Sequence, residues 1–151
     1  MIAGIWAFWT PAAPVAANAT PMSSASLTSN YQSDFSEFWM DFRRALLSAD
    51  ATTLERMTRF PLKVRGDLDS DPVRHVERRE LQIIFDRVLT ADSGTSARER
   101  ISNRLLVERT EFLVGTARGV AVSADTARVG PFSFRRGSNG WQLEQIYLGG
   151  D

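Results

Sequence analysis

The sequence predicts an α+β domain in which N-terminal helices pack on a curved antiparallel sheet. The first half carries apolar residues at the three- and four-residue spacing of amphipathic helices. The last third carries alternating runs, and two of them, PFSFRR and WQLEQIYL, are joined by GSNG, which is typical of a β-hairpin. Helices that precede a run of strands indicate the α+β class. A chain of 151 residues is long enough for one such domain with its own core.

The first helix is predicted to follow Asp34, a good N-cap residue with Glu37 three positions later. Asp50 predicts the start of a second, shorter helix over 51–58. Phe60–Pro61 ends that helix, because a proline disfavours helical conformation in the residue before it. The apolar stripe of the first helix consists of Phe35, Phe38, Trp39, Phe42, Leu46 and Ala49.

The middle of the chain predicts one further strand, one clear helix and one uncertain element. Alternation over 62–65 indicates a strand, 66–72 a loop, and 73–76 an extended segment. A third helix over 77–89 has an inner stripe at Leu81, Ile84, Phe85 and Val88. A fourth helix is indicated over 97–105, although 105–107 fits the start of a strand equally well.

The last third predicts strands near 111–114, 119–123, 126–136 and 141–148. In the final strand, Trp141, Leu143 and Tyr147 share one face, whereas Ile146 and Leu148 share the other. This change of phase predicts either a β-bulge or a curved sheet with both faces partly covered.

The N-terminus predicts an export signal over 1–19, a flexible polar lead-in over 20–30 and a single domain over 31–149. The apolar run over 2–9 is too short to span a bilayer, and Ala17-Asn18-Ala19 fits the A-x-A pattern of a cleavage site. An uncleaved anchor or a disordered tail is the alternative. We therefore expect a periplasmic or secreted protein of the bacterial type, with no integral membrane segment in the mature chain.

Composition and motifs exclude several classes of site. The 18 basic and 18 acidic residues balance, so the overall charge does not favour nucleic acid or an anionic membrane as a partner. The chain has no cysteine and one histidine, which excludes disulfides, thiolate sites and multi-histidine metal sites. The trio Asp67, Asp69 and Asp71 resembles the start of a calcium loop, but Pro72 stands where the glycine is needed. We expect no metal and no cofactor.

Two remaining features carry weak signals for function. His75 could form an acid–base pair with Asp71 or Glu77, but a histidine among charged neighbours is usually a surface residue. The arginines over 98–109 alternate with glutamates, which is typical of a solvated mixed-charge face.

The phrases FSEFWMDFRRALLSAD, ERMTRFPLKVRG, ERRELQIIFDRVL and GSNGWQLEQIYL, in this order, resemble small exported bacterial proteins of the nuclear-transport-factor-two-like superfamily. This superfamily includes ketosteroid isomerase, and the resemblance covers about 31–149. It implies a cone-shaped, cystatin-like domain whose sheet wraps a long helix and leaves a conical cavity. Members range from isomerases and dehydratases to non-catalytic binding partners, so the resemblance does not choose among them. The acid–base set of the isomerases does not align here, where Tyr31 and Tyr147 are the only tyrosines.

The aromatic residues of the helices and strands allow two interpretations. They form the core of the domain, or they line a cavity that accepts a small apolar ligand, with Arg65 as a polar anchor at its mouth. The leading hypothesis is a non-catalytic domain that binds a small apolar ligand or a protein partner. The alternatives are a small isomerase or hydro-lyase acting in the cone, and a structural homodimer. The candidate pocket residues are Trp39, Phe42, Arg65, Phe85, Phe134, Trp141 and Tyr147.

Overall fold

A computed structural model describes residues 24–66, 68, 70–93, 101–110 and 120–148. The helices are α1 (Ser24–Leu47), α2 (Ala51–Arg56), α3 (Leu81–Thr90), which follows a 3-10 turn at Arg78–Glu80, and α4 (Asn103–Arg109). The strands are β1 (Thr58–Arg65), β2 (Arg74–Val76), β3 (Asp92–Ser93), β4 (Ile101–Ser102), β5 (Val120–Val122), β6 (Thr126–Val129), β7 (Phe132–Gly137) and β8 (Gly140–Tyr147). The predicted export signal over 1–19 and the predicted strand over 111–114 lie outside the described residues.

The predicted α+β class is confirmed, but the sheet is mixed rather than antiparallel. Its six strands have the order β2-β1-β8-β7-β6-β5, and β3 pairs with β4 in a separate two-stranded ribbon. β1 runs parallel to β8, whereas the other neighbours in the large sheet are antiparallel. Parallel neighbours need a long crossover, and the chain between β1 and β8 supplies it because it contains α3 and α4.

The first helix begins at Ser24, ten positions before the predicted N-cap residue Asp34. Asp34 therefore lies inside the helix and does not cap it. The segment over 24–33 contains no proline or glycine, so nothing in it stops the helix. Asp34 instead accepts a 2.7 Å hydrogen bond from Arg136 Nη2, which ties α1 to β7. The predicted cap of the second helix is confirmed, because the Asp50 carboxylate accepts from the backbone N–H of Thr53 at 3.1 Å.

The uncertain element over 97–107 is a helix from Asn103 onward, and the alternative of a strand over 105–107 is wrong. The Ser102 hydroxyl accepts from the backbone N–H of Leu105 at 3.2 Å and so caps α4. Buried Asn103 donates to the Val88 carbonyl at 2.8 Å and joins α4 to α3. Two side chains of α1 bind carbonyls at the other end of α4: Trp39 Nε1 donates to Thr110 and Arg43 Nε to Val107.

The predicted strand over 126–136 is two antiparallel strands, β6 and β7. Gly130 has a φ of 53° in the turn between them, a conformation that favours glycine. The predicted hairpin of β7 and β8 is confirmed, with Gly137 opposite Gly140. The predicted bulge is confirmed as well, because the register with β7 shifts between Leu143 and Gln145.

The two faces of the large sheet differ in burial. The inner face is covered by α1 and α3, and its side chains are buried in the core, whereas the outer face carries polar side chains. The inner-face residues are Leu62, Val64, Val76, Ala127, Val129, Phe132, Phe134, Trp141, Leu143 and Ile146.

Candidate functional site

Five of the seven predicted pocket residues lie together in the interior. Phe42 and Phe134 are at the centre, with ring centroids 5.1 Å apart at an angle of 84°. Trp39 lies 6.0 Å from Phe134, and Phe85 lies 6.1 Å from Phe42. Trp141 joins the group through Phe35, whose ring is 4.9 Å away. Edge-to-face contacts at these distances are typical of a packed aromatic core.

The described part of the interior contains no ionisable side chain. Its buried polar side chains are Thr58 and Asn103. Both are neutral, and each donates to a backbone carbonyl, at 2.7 and 2.8 Å respectively. General acid–base catalysis needs an ionisable group beside the substrate. The described interior residues therefore supply no acid or base for the chemistry that the isomerase alternative requires.

One buried donor in the interior has no acceptor among the described residues. Trp141 is 6% exposed, and its Nε1 makes no hydrogen bond there. Buried indole N–H groups usually find a partner. Trp141 is the one predicted pocket residue that presents such a donor to the interior.

The other two predicted pocket residues, Arg65 and Tyr147, lie on the outer face. They are partners in the register of β1 and β8. Each neighbours an inward residue, Val64 and Ile146 respectively, and successive side chains of a strand point to opposite faces. The structure therefore separates these two residues from the aromatic cluster.

Arg65 and Tyr147 belong to a polar surface that we call the basic face. One row of it crosses the whole sheet in register: His75, Lys63, Gln145, Ser133, Arg128 and Ala121. Arg135 lies one outward position further along β7, opposite Gln142. Charged members of the basic face on the four central strands include Lys63, Arg65, Arg128, Arg135 and Glu144.

Glu144 holds two of the cations in place. Lys63 Nζ lies 3.2 Å from Oε1, and Arg135 Nε lies 2.8 Å from Oε2. The carboxylate side chain is 18% exposed. Burial raises the pKa of Glu144, but the hydrogen bonds and charges of Arg135 and Lys63 outweigh it, so the pKa is lowered from 4.5. The hydrogen bond to Glu144 raises the pKa of Arg135 in turn.

Arg128 is fixed above the ring of Tyr147. Its guanidinium carbon lies 4.2 Å from the ring centroid, a cation–π contact, and Nε donates to the Gly130 carbonyl at 3.2 Å. The guanidinium is thereby held against the sheet while Arg128 stays exposed. The cation–π contact and the hydrogen bond therefore fix the position of the Arg128 guanidinium on the basic face.

The basic face concentrates positive charge in a chain whose net charge is zero. The four cations Lys63, Arg65, Arg128 and Arg135 and the carboxylate of Glu144 together carry a charge of +3. His75 lies at one edge of the face, and Asp125, which precedes β6, interacts with Arg135 at the other side. A surface of this kind attracts negatively charged groups.

A cleft between α1 and α2 has a volume of about 470 Å³ and is open to solvent. Its charged residues largely satisfy each other: Arg44 binds Asp41 at 3.1 Å, and Asp50 caps α2. Hydrogen bonds from Thr53 lower the pKa of Asp50. The cleft is lined by Asp41, Arg44, Ala45, Ser48, Asp50, Thr53, Arg56 and Met57. Acids and bases balance in it, so it selects no ligand by charge.

The described residues show no other chemical centre. They include no group of three or more His, Asp or Glu side chains that could hold a metal ion, and His75 is exposed. No described helix is both long enough and apolar enough to cross a membrane.

Sequence reasoning missed the basic face, although part of its signal was present. Lys63 and Arg65 alternate with two buried residues in β1, which placed them on one face. Arg128 and Arg135 fall into phase with them only once 126–136 is divided at Gly130 and the strand order is known.

Comparisons with known proteins support a similarity of fold alone. No protein-family model matches the chain, and no curated protein matches it. Two solved structures are similar. One is an NTF2-like protein with a cystatin-like fold from Novosphingobium aromaticivorans, with 16% identity and a TM-score of 0.40 over 80% of this chain and 81% of that one. The other is a proposed dehydratase of the NTF2-like family from Streptomyces avermitilis, with 17% identity and a TM-score of 0.39 over 82% of this chain and 96% of that one. Both bear the name of the superfamily that the sequence resembles.

Proposed function

We propose that this chain is a non-catalytic binding domain that recognises a partner protein on its basic face. The observation that carries the proposal is the contrast between the two faces of the sheet. The inner face is occupied by contacting aromatic rings and, among the described residues, has no acid or base beside them. The outer face presents cations held in defined positions by Glu144 and Tyr147. Fixed polar groups on a rigid sheet are suited to recognition.

A site-specific photo-crosslink tests the proposal. We would replace Ser133, at the centre of the basic face, by p-benzoylphenylalanine in the full chain, expressed in its own host. The matched control carries the same replacement at Ser48, an exposed serine at the end of α1. We expect a discrete crosslink to a second polypeptide from position 133 and none from position 48. Equal crosslinking at both positions, or none at either, would contradict the proposal, and a crosslink to the same chain would favour the homodimer.

A small apolar ligand in the cone is the second candidate, and one observation favours it. Trp141 Nε1 is a buried donor with no acceptor among the described residues, and a ligand carbonyl or hydroxyl in the interior would supply one. Native mass spectrometry of the full chain purified from its host distinguishes the candidates. The binding-domain proposal expects the mass of the chain alone. A stoichiometric apolar molecule that is lost in Trp141→Phe would establish the cone ligand instead.

We also propose that the protein is exported, because 1–19 carries an apolar run and an A-x-A pattern. Fractionation of the host followed by N-terminal sequencing tests this. The expected mature N-terminus is Thr20 in the periplasmic or secreted fraction. Intact chain in the cytoplasm would refute export.

A further inference from the structure

We infer that the chain forms a two-fold dimer in which strand β5 of one copy pairs with β5 of a second copy. β5 is an edge of the six-stranded sheet, and no other described strand lies on its far side. An edge strand presents backbone N–H and C=O groups that can pair with the strand of another chain. The inference goes beyond the proposed function, because it concerns contact between two copies at the edge of the sheet.

The backbone of β5 directs hydrogen-bonding groups to its far side at Val120 and Val122. The N–H of Ser123 donates to the Thr126 carbonyl at 2.8 Å, at the start of the antiparallel β5–β6 pair. In such a pair, the backbone groups of successive residues point alternately toward the neighbouring strand and away from it. Ala121 therefore bonds to β6, whereas the N–H and C=O groups of Val120 and Val122 point away from the sheet.

This edge is complementary to itself. A second copy that is turned by 180° about an axis at Ala121 places its Val122 opposite Val120 and its Val120 opposite Val122. Each of these pairs can exchange two hydrogen bonds. The valine side chains are half-buried on the inner side, and they contact each other across the new pair of strands, where apolar pairs stabilise a sheet. Alanine suits the axis, because two identical side chains come closest there.

The charges around β5 permit a second copy. Val120, Ala121 and Val122 are uncharged, so no like charges of these strands meet across the axis. Arg128 lies in the row of Ala121 on β6, and the two copies of Arg128 are three strand separations, about 14 Å, apart. That distance exceeds the Debye length of about 8 Å in physiological salt. The contact with Tyr147 also draws the Arg128 guanidinium toward β8, on the side away from β5.

The opposite edge of the sheet, β2, has features that prevent such pairing. Pro72 precedes this strand, and exposed Arg74 and His75 occupy two of its three positions. Proline and charged side chains are the usual protections of an edge strand. β5 contains neither. Since one edge is protected and the other is not, we expect the unprotected edge to be covered in the assembled protein.

The dimer brings two basic faces together. The two-fold axis of an antiparallel strand pair is perpendicular to the sheet, so the outer faces of the two copies lie on the same side. A partner that carries two matching sites can engage both faces, which raises the overall affinity. The two copies of Ser133 are five strand separations, about 24 Å, apart, so a crosslink between them does not arise from this dimer.

Amide hydrogen exchange followed by NMR tests the pairing residue by residue. At a concentration where sedimentation shows a monomer, the amides of Val120 and Val122 should exchange fast, and that of Ala121 should exchange slowly because it bonds to β6. A higher concentration of the full chain should slow the two valines and leave Ala121 unchanged. Fast exchange of the valines in the dimer would overturn the inference. Slow exchange in the monomer would also overturn it, because another segment of the same chain would then cover the edge.

Charge variants at the axis test the two-fold arrangement by sedimentation velocity. The contact is small, so wild type should show a reversible equilibrium of monomer and dimer at high protein concentration. Ala121→Lys and Ala121→Glu should each weaken the dimer about tenfold, because like charges then face each other across the axis. An equimolar mixture of the two variants should restore the dimer, since opposite charges face each other. This recovery also shows that both variants are folded.

His75→Lys, at the β2 edge, is the matched control and should change the dimer affinity by less than about twofold. Equal weakening by this variant, no recovery in the mixture, or a monomer at every concentration would overturn the inference. The crosslink from position 133 reports on the proposed function separately. If it captures a partner while the chain stays monomeric, this inference is wrong and the proposed function stands. If the chain dimerises as described and no partner is captured, the proposed function is wrong and this inference stands.

Discussion

Phe42→Ala tests whether the aromatic cluster is core or the wall of a functional cavity. Phe42 is fully buried and its ring contacts five others, those of Phe38, Trp39, Phe85, Phe132 and Phe134, at 5.1 to 6.1 Å. Removal of a buried benzyl group costs about 3–5 kcal/mol of the free energy of unfolding. We expect a value in the middle of this range, about 4 kcal/mol, because the five rings are held by α1, α3 and β7 and cannot all move into the space.

A loss of that size is large beside the total stability of a domain, which is about 5–15 kcal/mol. For a domain of this size it lowers the melting temperature by roughly 12–20 °C. The assay is urea unfolding of wild type and variant, followed by far-ultraviolet circular dichroism and by tryptophan fluorescence. Coincident transitions show that two-state analysis applies.

A matched control is Ile83→Ala, because Ile83 on α3 is 68% exposed. Its free energy of unfolding should change by less than about 0.5 kcal/mol. If Phe42→Ala costs less than about 1.5 kcal/mol, the rings do not pack against each other in solution as they do here. The interpretation of the cluster as core would then be refuted, and the cone would be a cavity.

Three further predictions concern the outer face, two glycine turns and the hydrogen bond from Trp39 to Thr110. The pKa of Glu144 is lowered from 4.5, so its carboxylate stabilises the fold above that pH, and the difference in free energy of unfolding between wild type and Glu144→Gln should vanish as pH falls below 4.5. A difference that persists at low pH would contradict the ion pairs. Gly130→Ala should lower the free energy of unfolding by about 1–2 kcal/mol, because Gly130 has a φ of 53°, whereas Gly137→Ala, with open space around the residue, should change it by less than about 0.5 kcal/mol. Equal effects of the two variants in urea unfolding would argue against the turn at Gly130. Trp39→Phe should lower the free energy of unfolding by about 1–2 kcal/mol, because the Thr110 carbonyl loses the indole N–H that donates to it at 2.7 Å. An unchanged urea midpoint would show that this hydrogen bond is absent.

Elements whose signal is local were predictable from the sequence. The stripes of α1 and α3, the cap of α2 at Asp50, and the β7–β8 hairpin with its bulge each depend on residues within one or two turns of each other. Hydrophobic period and turn chemistry specify such features directly. The start of α1 was missed because a polar, serine-rich segment has no apolar stripe that marks it as helical.

The strand order was not predictable, because it depends on contacts between distant parts of the chain. Parallel pairing of β1 with β8 joins segments on either side of α3 and α4, and no turn sequence specifies it. The division of 126–136 into two strands could have been predicted, since Gly130-Pro131 is a turn signal inside an apolar run. Without that division, Arg128 and Arg135 do not fall on the face that Lys63 and Arg65 occupy.

The neutral net charge of the chain does not describe the charge on one face of the fold. Net charge sums all residues, whereas a ligand at a surface responds to charges within about one Debye length, about 8 Å in physiological salt. The basic face spans about 14 Å from Lys63 to Arg128, so charges on the helical side of the domain are largely screened from its centre. The field at Ser133 is therefore set by the cations around it and by Glu144, and replacement of Glu144 is the change that should alter that field most.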